Sequence, residues 1–236
     1  MKIFKIFVFI LLSQSLALAQ SESKDIVGEV LGEPVFRSQI TAKTEFKQHQ
    51  ELHSIFTRPV WEIYIKKYEK ELQPTQQEID SFVEFYQKKH EEEVKDQKEQ
   101  MIQDIEIIKD KLNAESLSKE EKEELEFELF KKETDLQGPG KNFAMFVLPH
   151  WKIQMHFYKN YGGGKLLWQQ RGIEAFDAMY KWLQEQEKTG KIKFFDEKIR
   201  DTYYHYWTTM DHGPFFIEKQ ERINNEFLNP EWQTTK

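Results

Sequence analysis

Two capping boxes, Thr75-Gln-Gln-Glu78 and Ser118-Lys-Glu-Glu121, commit residues 75–136 of this chain to helix. In each, the leading hydroxyl can accept the backbone N–H three residues on while the Glu carboxylate reaches back, which fixes a helix start. The stretch opened by Thr75 carries Ile79, Phe82, Val83, Tyr86, Val94, Met101, Ile105, Ile108 and Leu112 as its apolar positions. That pattern predicts one rod as far as Leu112, roughly 55 Å long at the α-helical rise. Leu125, Leu129 and Phe130 give the second stretch its apolar stripe, so 75–136 is expected to form an extended helical hairpin. Between residues 88 and 100 almost everything is polar; that part is expected to project into solvent or fray, its charges forming a solvated face.

Upstream, residues 26–31 and 34–36 alternate well enough for a small β-hairpin, with a tight turn at Gly32-Glu33. Ser38 suits an N-cap for a helix to about residue 56, and Pro59 suits the first turn of another. In that second helix Trp61, Ile65, Tyr68 and Leu72 share one face.

Gly138-Pro139-Gly140 is the strongest breaker, and the mature chain is expected to divide there into 20–137 and 141–236. Past it, 142–161 reads as helix with a kink at Pro149, and Gly162-Gly163-Gly164 ends it. Short strands are expected at 165–169 and 191–195, and an amphipathic helix over 173–188. Asp196 is placed to cap a helix through Thr208, and a last helix runs near 218–228. The fold class is therefore mainly α, with a small N-terminal hairpin and an aromatic-rich α(+β) C-terminal region.

Residues 1–19 have the pattern of a cleavable secretory signal: Lys2 and Lys5, an apolar centre over 6–12, and Ala17-Leu18-Ala19 before Gln20. The apolar run is shorter than the ~20 residues a membrane span needs, so export to the periplasm or medium is expected, without stable membrane insertion. The chain has no cysteine, so neither disulfides nor thiol chemistry is open to it. Loss of the signal leaves 32 basic and 41 acidic residues, a net charge of −9. Such a balance argues against nucleic acid, whose binding rests on phosphate neutralisation.

Candidate chemistry is thin. Gly162-Gly163-Gly164-Lys165 is followed by leucines rather than the Ser/Thr of a phosphate loop, and reads as a helix end. His150 and His156 fall on different sides of a helix. His205 and His212 could converge with Asp211, but no established metal-ligand spacing is present, so no metal or other cofactor is expected. No serine elbow is present, and chance pairing among 41 carboxylates carries no weight, so no catalytic residue is assigned. The densest cluster is Tyr203-Tyr-His-Tyr-Trp207 with Phe215 and Phe216. Tyr203, Tyr206 and Trp207 lie at i, i+3 and i+4, and form either core or the lining of an apolar groove.

The run Ile26-Val-Gly-Glu-Val-Leu-Gly-Glu-Pro-Val-Phe-Arg-Ser-Gln-Ile40, followed by Leu72-Gln-Pro-Thr-Gln-Gln-Glu-Ile-Asp80, resembles the N-terminal chaperone module of SurA-type periplasmic peptidyl-prolyl isomerases. The resemblance covers about residues 25–90. It implies a helical module whose apolar clefts hold unfolded or extended segments of outer-membrane or secreted proteins, with contacts on Val35, Phe36, Ile40, Trp61, Ile65 and Tyr68. The parvulin domain of that family opens on a His-Ile-Leu-type strand and later shows Gly-Gly-x-Leu-Gly; neither is present here. The expectation is thus an exported, non-catalytic polypeptide-binding protein. The alternatives are an isomerase with a degenerate catalytic domain and a scaffold that docks a partner. Residues 141–236 either complete the chaperone fold, as C-terminal helices do in that family, or form a separate partner-binding unit.

Overall fold

A computed structural model describes residues 25–114, 117–169, 172–209 and 213–234, so the signal read over 1–19 lies outside the described residues. The chain opens with strands β1 (Ile26–Val30) and β2 (Glu33–Phe36), then helix α1 (Glu45–Leu52), a π-helical turn (His53–Thr57), α2 (Arg58–Lys67) and the short α3 (Glu69–Leu72). Helices α4 (Gln76–Val94), α5 (Lys98–Leu112), α6 (Lys119–Gln137) and α7 (Lys141–Tyr161) follow. Then come β3 (Leu166–Gln169), β4 (Gly172–Glu174), α8 (Phe176–Lys188), β5 (Ile192–Phe194), α9 (Glu197–Thr208), β6 (Phe216–Ile217), α10 (Gln220–Phe227) and α11 (Glu231–Thr234). The protein is mainly helical with two small antiparallel sheets, ordered β2-β1-β5 and β4-β3-β6. Among the described residues no helix is long and apolar enough to cross a membrane.

The chain forms two compact units, neither continuous in sequence. The first takes residues up to Leu72, His156–Gln169 and Ile173–Lys219; the second takes Gln73–Met155, Gln170–Gly172 and Gln220–Lys236. Gly138-Pro139-Gly140, expected to separate two domains, therefore falls inside the second unit.

In the first unit the N-terminal hairpin turns at Leu31-Gly32, one residue before the expected turn, with Val30 opposite Glu33. Both turn residues have positive φ, 54° at Leu31 and 90° at Gly32, the backbone a two-residue hairpin needs to match strand twist. Leucine is a poor occupant of that region because its Cβ crowds the following carbonyl. Leu31→Asn is expected to raise stability by about 0.5–1 kcal/mol, read as an upward shift of the thermal midpoint, because little packing is lost from this exposed side chain.

The third strand of this sheet comes from far downstream. β5 pairs antiparallel with β1, placing Gly28 opposite Phe194, Glu29 opposite Lys193 and Val30 opposite Ile192. Leu31 N–H to the Lys191 carbonyl (2.7 Å) and Phe195 N–H to the Val27 carbonyl (2.9 Å) extend the ladder. Lys193–Glu29 (2.6 Å) and an Arg37–Asp196 ion pair tie the flanks.

The helix expected from Ser38 to about residue 56 starts later. Arg37–Gln39 is one 3₁₀ turn, and α1 begins at Glu45. The reason is that the N–H groups of Thr41 and Ala42 both donate to the Glu51 carboxylate at 2.9 Å, so these donors are satisfied outside a helical ladder. No break then precedes Pro59. The π-helical turn, closed by Arg58 N–H to the His53 carbonyl, carries the chain from α1 into α2. The wider turn lets the adjacent residues Phe56 and Thr57 both be buried. Downstream, Ile173 belongs to β4 rather than to the helix expected from 173, and α8 begins at Phe176. Asp196 caps α9 as expected, accepting Ile199 N–H at 3.2 Å.

In the second unit Thr75 and Ser118 both form the capping boxes read from the sequence. The single 55 Å rod does not form: helix stops at Val94 and restarts at Lys98. No large apolar residue lies between Val94 and Met101 to hold one face down, and the two halves pack on different neighbours. Ile79 and Phe82 of α4 pack with Ala144 and Leu148 of α7 and Trp232 of α11. α5 instead forms an antiparallel pair with α6, burying Ile105 and Ile108, with Lys132–Asp104 (2.6 Å) and Lys109–Glu133 (2.7 Å) across it. The hairpin thus spans 98–137 rather than 75–136. α7 continues through Pro149, and its buried Lys152 pairs with the Glu78 carboxylate at 2.8 Å.

Candidate functional site

The nine positions expected to touch a polypeptide all lie in the first unit, in separate packing clusters. Val35, Tyr203 and Trp207 are core residues, 2%, 0% and 5% exposed, and cannot offer a surface to a ligand. Tyr203 is held there by a 2.7 Å hydrogen bond with the Thr57 hydroxyl and by the rings of Phe56 and Phe194. Trp207 packs on Phe176. The aromatic run on α9 therefore resolves toward core on this side. Phe36, Ile40, Trp61, Ile65, Tyr68 and Tyr206 are half-buried. Trp61 lies between Phe157 and Trp182, and Tyr68 packs against Tyr64 and His156. Tyr206 stacks on His49 and donates its hydroxyl to Glu174 at 3.1 Å.

Two polar arrangements accompany these rings. The Tyr64 hydroxyl and His156 Nδ1 share a hydrogen bond of 2.6 Å, and His156 Nε2 faces Glu71 at 3.4 Å. Burial holds the Tyr64 phenol above its ordinary pKa, so it stays protonated. Burial also lowers His156, against the pull of Glu71. The chain carboxylate–imidazole–phenol ends on a buried ring and acts as a link between α2 and the end of α7. The second arrangement is His53, the first residue of the π-helical turn, which stacks on Tyr203; burial lowers its pKa to about 4, with His49 adding to the shift.

Gly164 N–H, which a phosphate-cradle reading would need, donates to the Asp177 carboxylate at 2.8 Å, and Gly162 N–H closes α7 on the Tyr158 carbonyl. A carboxylate of the chain itself occupies the donor, so the glycines are a helix end. Among the described residues no group of three His, Asp or Glu could hold a metal ion; Asp211 and His212 lie outside them.

An open surface feature of a size to receive a ligand lies in the second unit. Where α4 ends, α5 begins and α6 gives way to α7, an open groove of about 860 Å³ forms. Val94, Met101, Phe130 and Phe143 supply its apolar lining. Glu93, Gln97, Thr134, Asp135 and Lys141 lie among its polar lining. Gly138 adopts φ 70°, and a Cβ there would come within 2.3 Å of the His90 ring, so the loop that shapes the groove can close only on glycine. Phe130 and Phe143 are 67% and 43% exposed, and Phe127 and Phe146 beside them on the same helices are 70% and 60% exposed. Four open phenylalanines on two helices, each pair spaced i, i+3, are an unusual concentration for a surface otherwise so charged. A second depression of about 470 Å³ on the same unit is lined by Ile79 and Val83 with Asp80, Glu84 and Glu91, and shares Lys141 with the groove.

Periodicity places Val94, Met101 and Phe130 on helices but assigns them no role. The repeats Phe127-Glu-Leu-Phe130 and Phe143-Ala-Met-Phe146 were the available signal. Comparison of the chain with protein-family models, with curated proteins and with solved structures returns no match.

Proposed function

We propose that this is an exported, non-catalytic protein that binds unfolded or extended polypeptide in the manner of a chaperone. The observation that carries the reading is the open groove of the second unit, about 860 Å³, with exposed phenylalanines on α6 and α7. A groove of that size falls within the ~300–1,000 Å³ typical of ligand sites, and it offers apolar anchors ringed by polar groups. Helix-bound aromatic anchors suit segments that bring alternate large side chains rather than a folded surface. The resemblance of residues 25–90 to the SurA-type module supports the same reading. The binding surface is assigned to the groove rather than to Val35, Tyr203 and Trp207, which are core.

The test is suppression of aggregation. The chain beginning at Gln20 is expected to keep a denatured outer-membrane protein from scattering light at near-stoichiometric amounts. No suppression, together with no binding to unfolded chains, removes the reading. A protease-coupled proline-peptide assay run in parallel identifies the isomerase alternative by rate acceleration at catalytic concentration.

A further inference from the structure

We infer that the groove of the second unit selects polypeptide segments that carry basic side chains next to large apolar ones. This rests on the polypeptide-binding reading above and narrows it to one chemical class.

The ground is where the charge lies. The whole chain has a net charge of −7, yet residues 73–155 alone hold 20 acidic and 12 basic side chains, net −8. The acidic excess of the protein is therefore contributed by the unit that holds the groove, and the rest of the chain is close to neutral. The two depressions repeat the bias locally. Their linings include five carboxylates, on Asp80, Glu84, Glu91, Glu93 and Asp135, against two ammonium groups, on Lys88 and Lys141. None of the five forms an ion pair with another described residue, in contrast to Asp104 and Glu133 on the α5–α6 hairpin, which are matched by lysines. In the groove itself Glu93 and Asp135 stand with the exposed Phe130 and Phe143, and Asp80, Glu84 and Glu91 extend the negative charge into the neighbouring depression, which favours a ligand that supplies ammonium or guanidinium groups together with apolar side chains.

A second copy of this chain is the competing occupant. It would bring the same surface, so an isologous contact would set net −8 against net −8 around the phenylalanines. An acidic or neutral segment could use the apolar anchors but would leave the rim unpaired.

The experiment uses the chain beginning at Gln20 and three fluorescent twelve-residue peptides sharing one pattern of Leu and Phe, with Lys, Gln or Glu at the remaining positions. Anisotropy titration in low salt is expected to rank Lys over Gln over Glu, with at least ten-fold between the extremes. About 0.5 M NaCl should compress that ranking, since exposed charges are then screened within a few ångströms. Glu93→Lys with Asp135→Lys is expected to weaken the Lys peptide about ten-fold and strengthen the Glu peptide. Phe130→Ser with Phe143→Ser should weaken all three; both phenylalanines are exposed, and unchanged circular dichroism checks the fold. Equal affinity for the three peptides overturns the selectivity and leaves a charge-blind binder. Binding untouched by either double variant overturns the assignment to the groove. A dimer in sedimentation that both double variants dissolve makes a second copy the occupant. Failure of aggregation suppression and of all peptide binding removes the underlying reading instead.

Discussion

Phe56→Ala is expected to cost about 3–5 kcal/mol, the usual range for deleting a fully buried phenylalanine. Its ring is 0% exposed and packs 4.6 Å from the Phe194 ring and 6.0 Å from that of Tyr203. It also covers Gly28, where a Cβ would sit 2.8 Å from the ring and 2.4 Å from the Lys193 carbonyl. One side chain thus joins the π-helical turn, the central strand and α9. For a chain of this length the loss corresponds to a fall of roughly 10 °C in thermal midpoint. Gly28→Ala is expected to be damaging for the complementary reason, excess volume against a backbone that cannot retreat without parting β1 from β5. Combining the two relieves the ring clash but not the one with Lys193, so the double variant should be less than additive yet no rescue. Urea unfolding of the three variants measures this; a loss under 1 kcal/mol for Phe56→Ala would show that the turn does not anchor the sheet.

Acidification is expected to have the next largest effect. The His53 imidazole is lowered to about 4 by burial, against about 6.5 in an unfolded chain. The unfolded state therefore takes up the proton first, and stability is lost as pH falls from about 6.5 to about 4. The full contribution is about 3 kcal/mol, present above pH 6.5 and gone below pH 4. His49 and His156, also lowered by burial, act in the same direction. Glu226, raised by burial, acts against them. The carboxyls of Glu78 and Asp196, held low by Lys152 and Arg37, add their own loss at still lower pH. His53→Phe keeps a ring against Tyr203 and should flatten the profile between pH 6.5 and 4. Unfolding free energies measured across that window decide the matter, and an unchanged slope in the variant would move the origin elsewhere.

What could be read from the sequence was what neighbours along the chain decide. Thr75, Ser118 and Asp196 cap their helices because a cap is settled within three residues. Ser38 does not open a helix because Glu51, thirteen positions on, takes the amides of Thr41 and Ala42. The rod from 75 to 112 breaks at 95–97, inside the polar stretch expected to project or fray, because its periodicity continues past 94 while its packing partners change. Tyr203 could be groove or core on spacing alone, and Thr57 and Phe56, far upstream, make it core. The groove was the least legible element, because its apolar lining comes from four helices that meet only once the turns at 95–97 and 138–140 are made.

The pairing of β5 with β1 also sets an order of events in time. A hairpin whose central strand is completed by residues 192–194 stays open along one edge until more than 150 further residues have been made. Contacts of such sequence separation form slowly, and an uncovered strand edge can pair with other chains meanwhile. The N-terminal hairpin is thus itself unfinished through most of synthesis. A chain stopped at Gly140 should yield no stable version of it, however complete its own strands and helices look on paper.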